Sequence, residues 1–162
     1  MTSNGSILCQ VQEHPEAGYD VQFLAHLNFK TTAAEVAKRG IKIIHNGGAL
    51  NPEGLYKATK SLLEEKGLSH VIVAWVDSDD VEKELISLAS SMKDSPKLDK
   101  SELILSSWTT KLYNANDYIG MRGIRAALNA GAQIIICGRI CSGSAAMALG
   151  AWYAIELLSM RS

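Results

Sequence analysis

The sequence predicts an α/β fold, a mostly parallel sheet with helices on both faces in a Rossmann-like three-layer arrangement. Three short apolar runs, Ile41–His45, Val71–Val76 and Gln133–Cys137, are each followed by a Gly/Asn/Asp/Ser loop and then a helical pattern. Strands alternating with helices imply parallel pairing through crossovers, because parallel neighbours cannot be joined by a tight hairpin. The length of 162 residues, 47% of them hydrophobic and 20% charged, suits one core and is too short for two ordinary ones. Residues 1–15 are expected as an N-terminal segment, helical or frayed, and residues 16–162 as a single α/β domain.

Taken in order, Val21, Leu24 and Leu27 recur at helical spacing, and Thr32-x-x-Glu35 reads as a capping box for a helix that runs to Gly40. The run Ile41–His45 leads into Asn46-Gly47-Gly48-Ala49-Leu50-Asn51-Pro52. There Asn51 suits an N-cap and Pro52 the first helical position, where its missing N–H costs nothing. Leu55, Ala58 and Leu62 give that helix an inward face, and Gly67 is placed to end it. Val71–Val76 is apolar on both faces, as a strand covered on both sides should be. Asp77-Ser78-Asp79-Asp80 follows, then a stripe of Val81, Leu85, Leu88 and Met92. Residues 93–101 read as a polar loop and Leu103-Ile104-Leu105 as a short strand. Met121, Ile124 and Leu128 mark a helix stopped near Gly131. Gln133–Cys137 is the third strand, and a helix spans Ser144 to Ser159.

Acidic and basic residues number 17 and 16, so no global field recruits nucleic acid or an anionic membrane. The chain has no apolar run of membrane-spanning length, and its first residues lack a signal-peptide pattern, so a cytoplasmic location is expected. Three cysteines make no disulfide framework. Cys137 and Cys141, without a histidine or second pair nearby, read as buried thiols and not as a metal site.

Ligands of parallel sheets bind outside the carboxyl ends of the strands, where all three loops should lie. Asn46, Gly47 and Gly48 can offer backbone N–H groups to an anion, or can form a tight turn needing positive φ. Gly138 and Arg139, followed by Ser142, Gly143 and Ser144, add a cation and two hydroxyls at a helix N-terminus. They suit a phosphate or carboxylate, or else Ser142 or Ser144 caps the helix and Arg139 pairs locally. Neither a Walker A loop nor G-x-G-x-x-G is present, and no cofactor is implied. Asp77, Asp79 and Asp80 can act as general base or ligand, with Asp79 and Asp80 the catalytic candidates, or serve as helix caps. Asn114, Asn116 and Asp117 form a polar knot before a helix, and His45 stands beside the Asn-Gly-Gly loop as a candidate to touch substrate.

These motifs fall in a family order. Gly18-Tyr19-Asp20 comes first, then Gly40–Ile44 leading into Asn46–Pro52, then Trp75–Asp80, Asn114–Gly120, Gly131–Arg139 and Ser144. From about residue 16 to 153 the chain resembles the N-terminal domain of AtuA-type acyclic terpene utilisation proteins, in a form associated with filamentous fungi. The resemblance implies a link to breakdown of terpenoids such as citronellol and geraniol through acyl-CoA thioesters. It thus implies a small-molecule ligand of the CoA-thioester class, while the charge balance and the lack of a membrane-length run leave neither nucleic acid nor membrane as an expected partner. The family's Asn-Ala-Gly-Gly reads Asn46-Gly47-Gly48-Ala49, its Glu-Gly reads Asp77-Ser78, and its Asp-Ala-Ser reads Ser142-Gly143-Ser144. A hydroxyl cannot replace a carboxylate as base at neutral pH, so Ser142 weighs against independent catalysis. The chain also begins after the family's opening strand–loop and second strand, and so reads as shortened. A sheet edge left in that way should need a second copy or a complementing partner. The expectations are therefore an AtuA-like protein with a site at the strand ends, a truncated non-catalytic accessory of a secondary-metabolite pathway, or a phosphate- or nucleotide-binding module.

Overall fold

A computed structural model describes residues 18–77, 80–88 and 115–159. The expectations for residues 1–15, for Met92, for residues 93–101 and for Leu103–Leu105 lie outside the described residues, as do Ser78, Asp79 and Asn114. Along the chain run α1 (Val21–Asn28), α2 (Thr32–Arg39), β1 (Ile43–His45), α3 (Pro52–Glu65), β2 (Val73–Val76), α4 (Glu82–Leu88), α5 (Arg122–Asn129), β3 (Ile134–Cys137) and α6 (Ser144–Ser159).

The three strands form one parallel sheet in the order β1-β3-β2. Each expected run supplies a strand, shorter than the apolar run by one or two residues at its start. Just before β1, the Lys42 ammonium donates to the Ala132 carbonyl at 2.8 Å and sits over the Trp152 ring. In register, His45 lies opposite Ile136, and Trp75 lies opposite Ile136 from the other side. The strand that arrives last in sequence takes the centre. All four of its residues are buried, as a continuous Ile-Ile-Ile-Cys run requires of a strand covered above and below.

Alternation along the strands divides the interior. Ile134 and Ile136 pack with Leu27, Ala33, Val36, Leu55 and Leu63 under α1, α2 and α3. Ile135 and Cys137 pack with Ile124, Leu128, Ala132 and Ala148 under α5 and α6. Helices therefore cover both faces, the layered arrangement that the sequence pattern implied.

Most helix ends follow their local chemistry. The Asn51 side chain accepts the Gly54 N–H at 2.8 Å, with Pro52 in the first turn. Gly40 and Gly67 take left-handed φ values of 62° and 70° and end α2 and α3. The capping box is a correction. Thr31 is the N-cap of α2, and the Thr32 hydroxyl instead donates back to the Phe29 carbonyl at 2.7 Å. Lys30, with φ 46°, separates α1 from α2 and shifts the start by one residue. The buried face of α3 is also shifted, to Leu55, Thr59 and Leu63, with Ala58 and Leu62 half-buried. Thr59 escaped the apolar pattern because it carries a hydroxyl, although its side chain is wholly buried.

Candidate functional site at the strand carboxyl ends

Because the three strands are parallel, the loops after them open on one rim, and backbone hydrogen bonds stitch them together. Gly48 N–H donates to the Cys137 carbonyl at 3.0 Å, joining the loop after β1 to the end of β3. Gly138 N–H donates to the Val76 carbonyl at 3.3 Å, joining β3 to β2. Asp80 forms an antiparallel bridge with Asn116, and Val81 N–H donates to the Ala115 carbonyl at 2.9 Å. Ile119 N–H donates to the Arg139 carbonyl, and Cys141 N–H to the Ile119 carbonyl. Asn46–Gly48, Asp80, Asn116 and Gly138–Arg139 thus belong to one continuous edge of the molecule.

The two glycines of the Asn46-Gly47-Gly48 loop meet a need that neither sequence reading named. Neither has a positive φ; Ala49 takes that conformation, at 48°. A Cβ on Gly48 would lie 2.6 Å from the Cys137 carbonyl oxygen and 2.7 Å from Pro52 Cβ. A Cβ on Gly47 would collide with His45 Nε2 and lie 2.8 Å from Asp20 Cβ. Both positions are glycine because the protein itself closes on them.

Arg139 is half-buried at the end of β3. Its Nη1 donates to the Tyr118 hydroxyl at 3.0 Å, and the guanidinium stands 5.0 Å from the centre of that ring. Tyr118, itself exposed, therefore fixes the direction of the cation. Ser142 is exposed in the turn before α6, whereas Ser144 is buried and its hydroxyl donates to the Ile119 carbonyl at 3.4 Å. Asn51 is engaged as the cap of α3. Cys137 is a buried free thiol as expected, but Cys141 is exposed, because it starts the turn into α6 instead of continuing the strand. Its Sγ lies 3.6 Å from the Tyr118 carbonyl.

Asp20, Phe23 and Tyr118 are rim residues that spacing alone did not single out. Asp20 caps α1 by accepting the Gln22 N–H at 2.9 Å, and its own N–H donates to the Gly47 carbonyl at 2.7 Å. Its second carboxylate oxygen is 3.7 Å from His45 Nε2. Phe23 stacks on the His45 ring with centroids 4.5 Å apart and planes 17° apart. Burial pulls the His45 pKa below its ordinary value, against a smaller upward pull from Asp20. The Gly18-Tyr19-Asp20 motif was the available signal for this pair, since it sits where a helix cap is needed.

Fold and rim together define an open parallel α/β protein in which the loops at the strand carboxyl ends share one edge. More particularly, the chain belongs to the acyclic terpene utilisation family AtuA, whose family model matches residues 4–154. Membership places it in acyclic terpene utilisation at the level of the family. No curated protein and no solved structure matches the chain. Among the described residues, no helix is long and apolar enough to cross a membrane.

Proposed function

We propose that the rim binds a small anionic ligand of cytoplasmic terpenoid metabolism, a CoA thioester of a branched acyl chain ahead of free nucleotides. The observation that carries this reading is Arg139, aimed by Tyr118, at the point where the loops after β1 and β3 and the 115–119 segment meet. A guanidinium brings five donors in a fixed fork that suits phosphate, and the start of α6 adds the positive end of a helix dipole. Asn46, Asn116 and exposed Ser142 supply polar contacts beside it, and the backbone of Gly47, Gly48 and Gly138 forms the floor. Gly138 and Gly48 hold that floor to the strands by their own N–H bonds. Asp80 is the carboxylate source at the β2 end. Ser142 leaves position 142 without one, which supports binding with little turnover.

Calorimetry on the purified chain tests this. Loss of a charge-assisted contact is worth on the order of 2 kcal/mol, so Arg139→Ala should weaken thioester binding roughly thirty-fold. Equal affinity in the variant would remove the anion site, and tighter binding of a free nucleotide than of any thioester would favour a nucleotide module.

A second reading, a partner-dependent accessory protein, is favoured by α6. Met147, Tyr153, Ile155, Leu157 and Leu158 are all exposed on it, and its association state is the relevant measurement.

A further inference from the structure

The Asp20–His45 pair goes beyond ligand binding. Its imidazole is held by Phe23, which stacks on one face, and by Gly47 and Asp20 at the Nε2 edge, while Ile136 is the register neighbour of His45 on β3. Nε2 is buried and makes no hydrogen bond; the Asp20 carboxylate, 3.7 Å away, is the charged group nearest to it among the described contacts. About a quarter of the side chain (26%) is nevertheless exposed, through atoms other than Nε2. Asp20 is itself immobilised, with Oδ1 holding the Gln22 N–H and Oδ2 left toward the imidazole. A neutral imidazole carries one N–H, and a carboxylate beside Nε2 draws that proton to Nε2, leaving the lone pair on Nδ1.

We propose that Asp20 and His45 form a proton-accepting dyad on the rim, His45 Nδ1 taking a proton from a bound small molecule and Asp20 positioning the ring. The donor is a hydroxyl or a C–H next to a carbonyl. Its bonding pair stays on the ligand as the new anion, the proton joins the Nδ1 lone pair, and the imidazolium is balanced by the Asp20 charge. The 3.7 Å separation is long for a hydrogen bond and shortens when that charge forms. Asp20 is the charged group acting on the ring; Phe23, Gly47 and Ile136 are neutral. The dyad places a proton acceptor on a rim whose position 142 has none. It rests on the rim being the ligand site, but not on the ligand being a thioester.

Nitrogen-15 NMR of the imidazole tests it without any substrate. The wild-type chain should show the Nε2–H tautomer of His45 at neutral pH. Asp20→Asn retains the cap, because asparagine caps helices as well as aspartate. With its oxygen still on Gln22, the amide NH2 would face Nε2 and donate to it, so the tautomer should flip to Nδ1–H. An Nδ1–H tautomer in the wild type, or no change in Asp20→Asn, overturns the dyad. Diethyl pyrocarbonate labelling of the wild type, mapped by mass spectrometry, needs no variant. His45 should react at a rate comparable to the exposed His26 and His70, and several-fold more slowly in Asp20→Asn. An unreactive His45 beside labelled His26 and His70 would mean that its lone pair faces the interior, and the proposal fails. Neither result depends on whether a thioester binds, so failure here is distinct from failure of the binding reading.

Discussion

Ala49 holds a left-handed backbone, with φ 48°, in the loop that carries Gly47 and Gly48. A Cβ in that conformation costs roughly 1–2 kcal/mol, part of which glycine returns through its greater freedom in the unfolded chain. Ala49→Gly should therefore stabilise the protein by about 1 kcal/mol, read as a higher urea midpoint with unchanged slope. A lower midpoint would mean that the methyl makes packing contacts worth more than the strain. In the related Asn-Ala-Gly-Gly pattern a glycine falls on position 49 and an alanine on position 47. Here the alanine is displaced to the strained position, and the glycine at 47 makes room for His45. Residue spacing could locate this loop but not assign its glycines. Whether a missing Cβ serves a ligand, a turn or a neighbour depends on what the fold brings against it, and that neighbour is a histidine two residues away together with Asp20 from another element.

At the scale of elements, α6 is apolar on nearly every side, a pattern expected of a helix with cover all round. One side packs Ala148 and Trp152 against β3 and α5, while Met147, Tyr153 and Leu158 stay exposed. Exposed large side chains in one continuous helix favour association. Sedimentation should show a concentration-dependent oligomer, and Leu158→Glu with Met147→Glu should shift it toward monomer. A monomer at all concentrations would leave the accessory reading without support. The bounds of α6 were legible because Ser142-Gly143-Ser144 offers start chemistry and the apolar run is unbroken. The α1–α2 junction was less so: Thr31 and Thr32 are adjacent and chemically equivalent, and the choice between them is made by the left-handed Lys30.

For the molecule as a whole, His45 makes one contribution to the pH response of folding. Its folded pKa is below its unfolded value, so between the two the unfolded chain binds more protons than the native one. Stability should then fall as pH drops from about 6.5 toward the folded pKa, and level off below it. Melting of wild type and His45→Gln between neutral and mildly acidic pH checks the sign: the variant should lose that slope. A wild type that gains stability on acidification through this window would mean the Asp20 attraction outweighs burial. The parallel sheet and its two covered faces were readable from three apolar runs and their capped helices. Strand order was not, because periodicity says which residues face inward but not which strand lies beside which. The rim was readable as a consequence of parallelism, since strand carboxyl ends share an edge whatever their order.

That order has a consequence for how the chain assembles. β1 and β2 do not pair with each other; each pairs with β3, about ninety residues after β1 and about sixty after β2. Among the described residues, the earlier strands have no strand to pair with until residues 134–137 arrive, and only their helix-facing side chains, such as Val73 beside Leu55 and Leu63, can pack before then. During synthesis the ribosome releases them well before their shared neighbour. Closure is thus a late, long-range event, slow by the rule that distant contacts must first offset the entropy of the loops between them. The interval before closure is when the nascent chain is most open to aggregation and to chaperone capture.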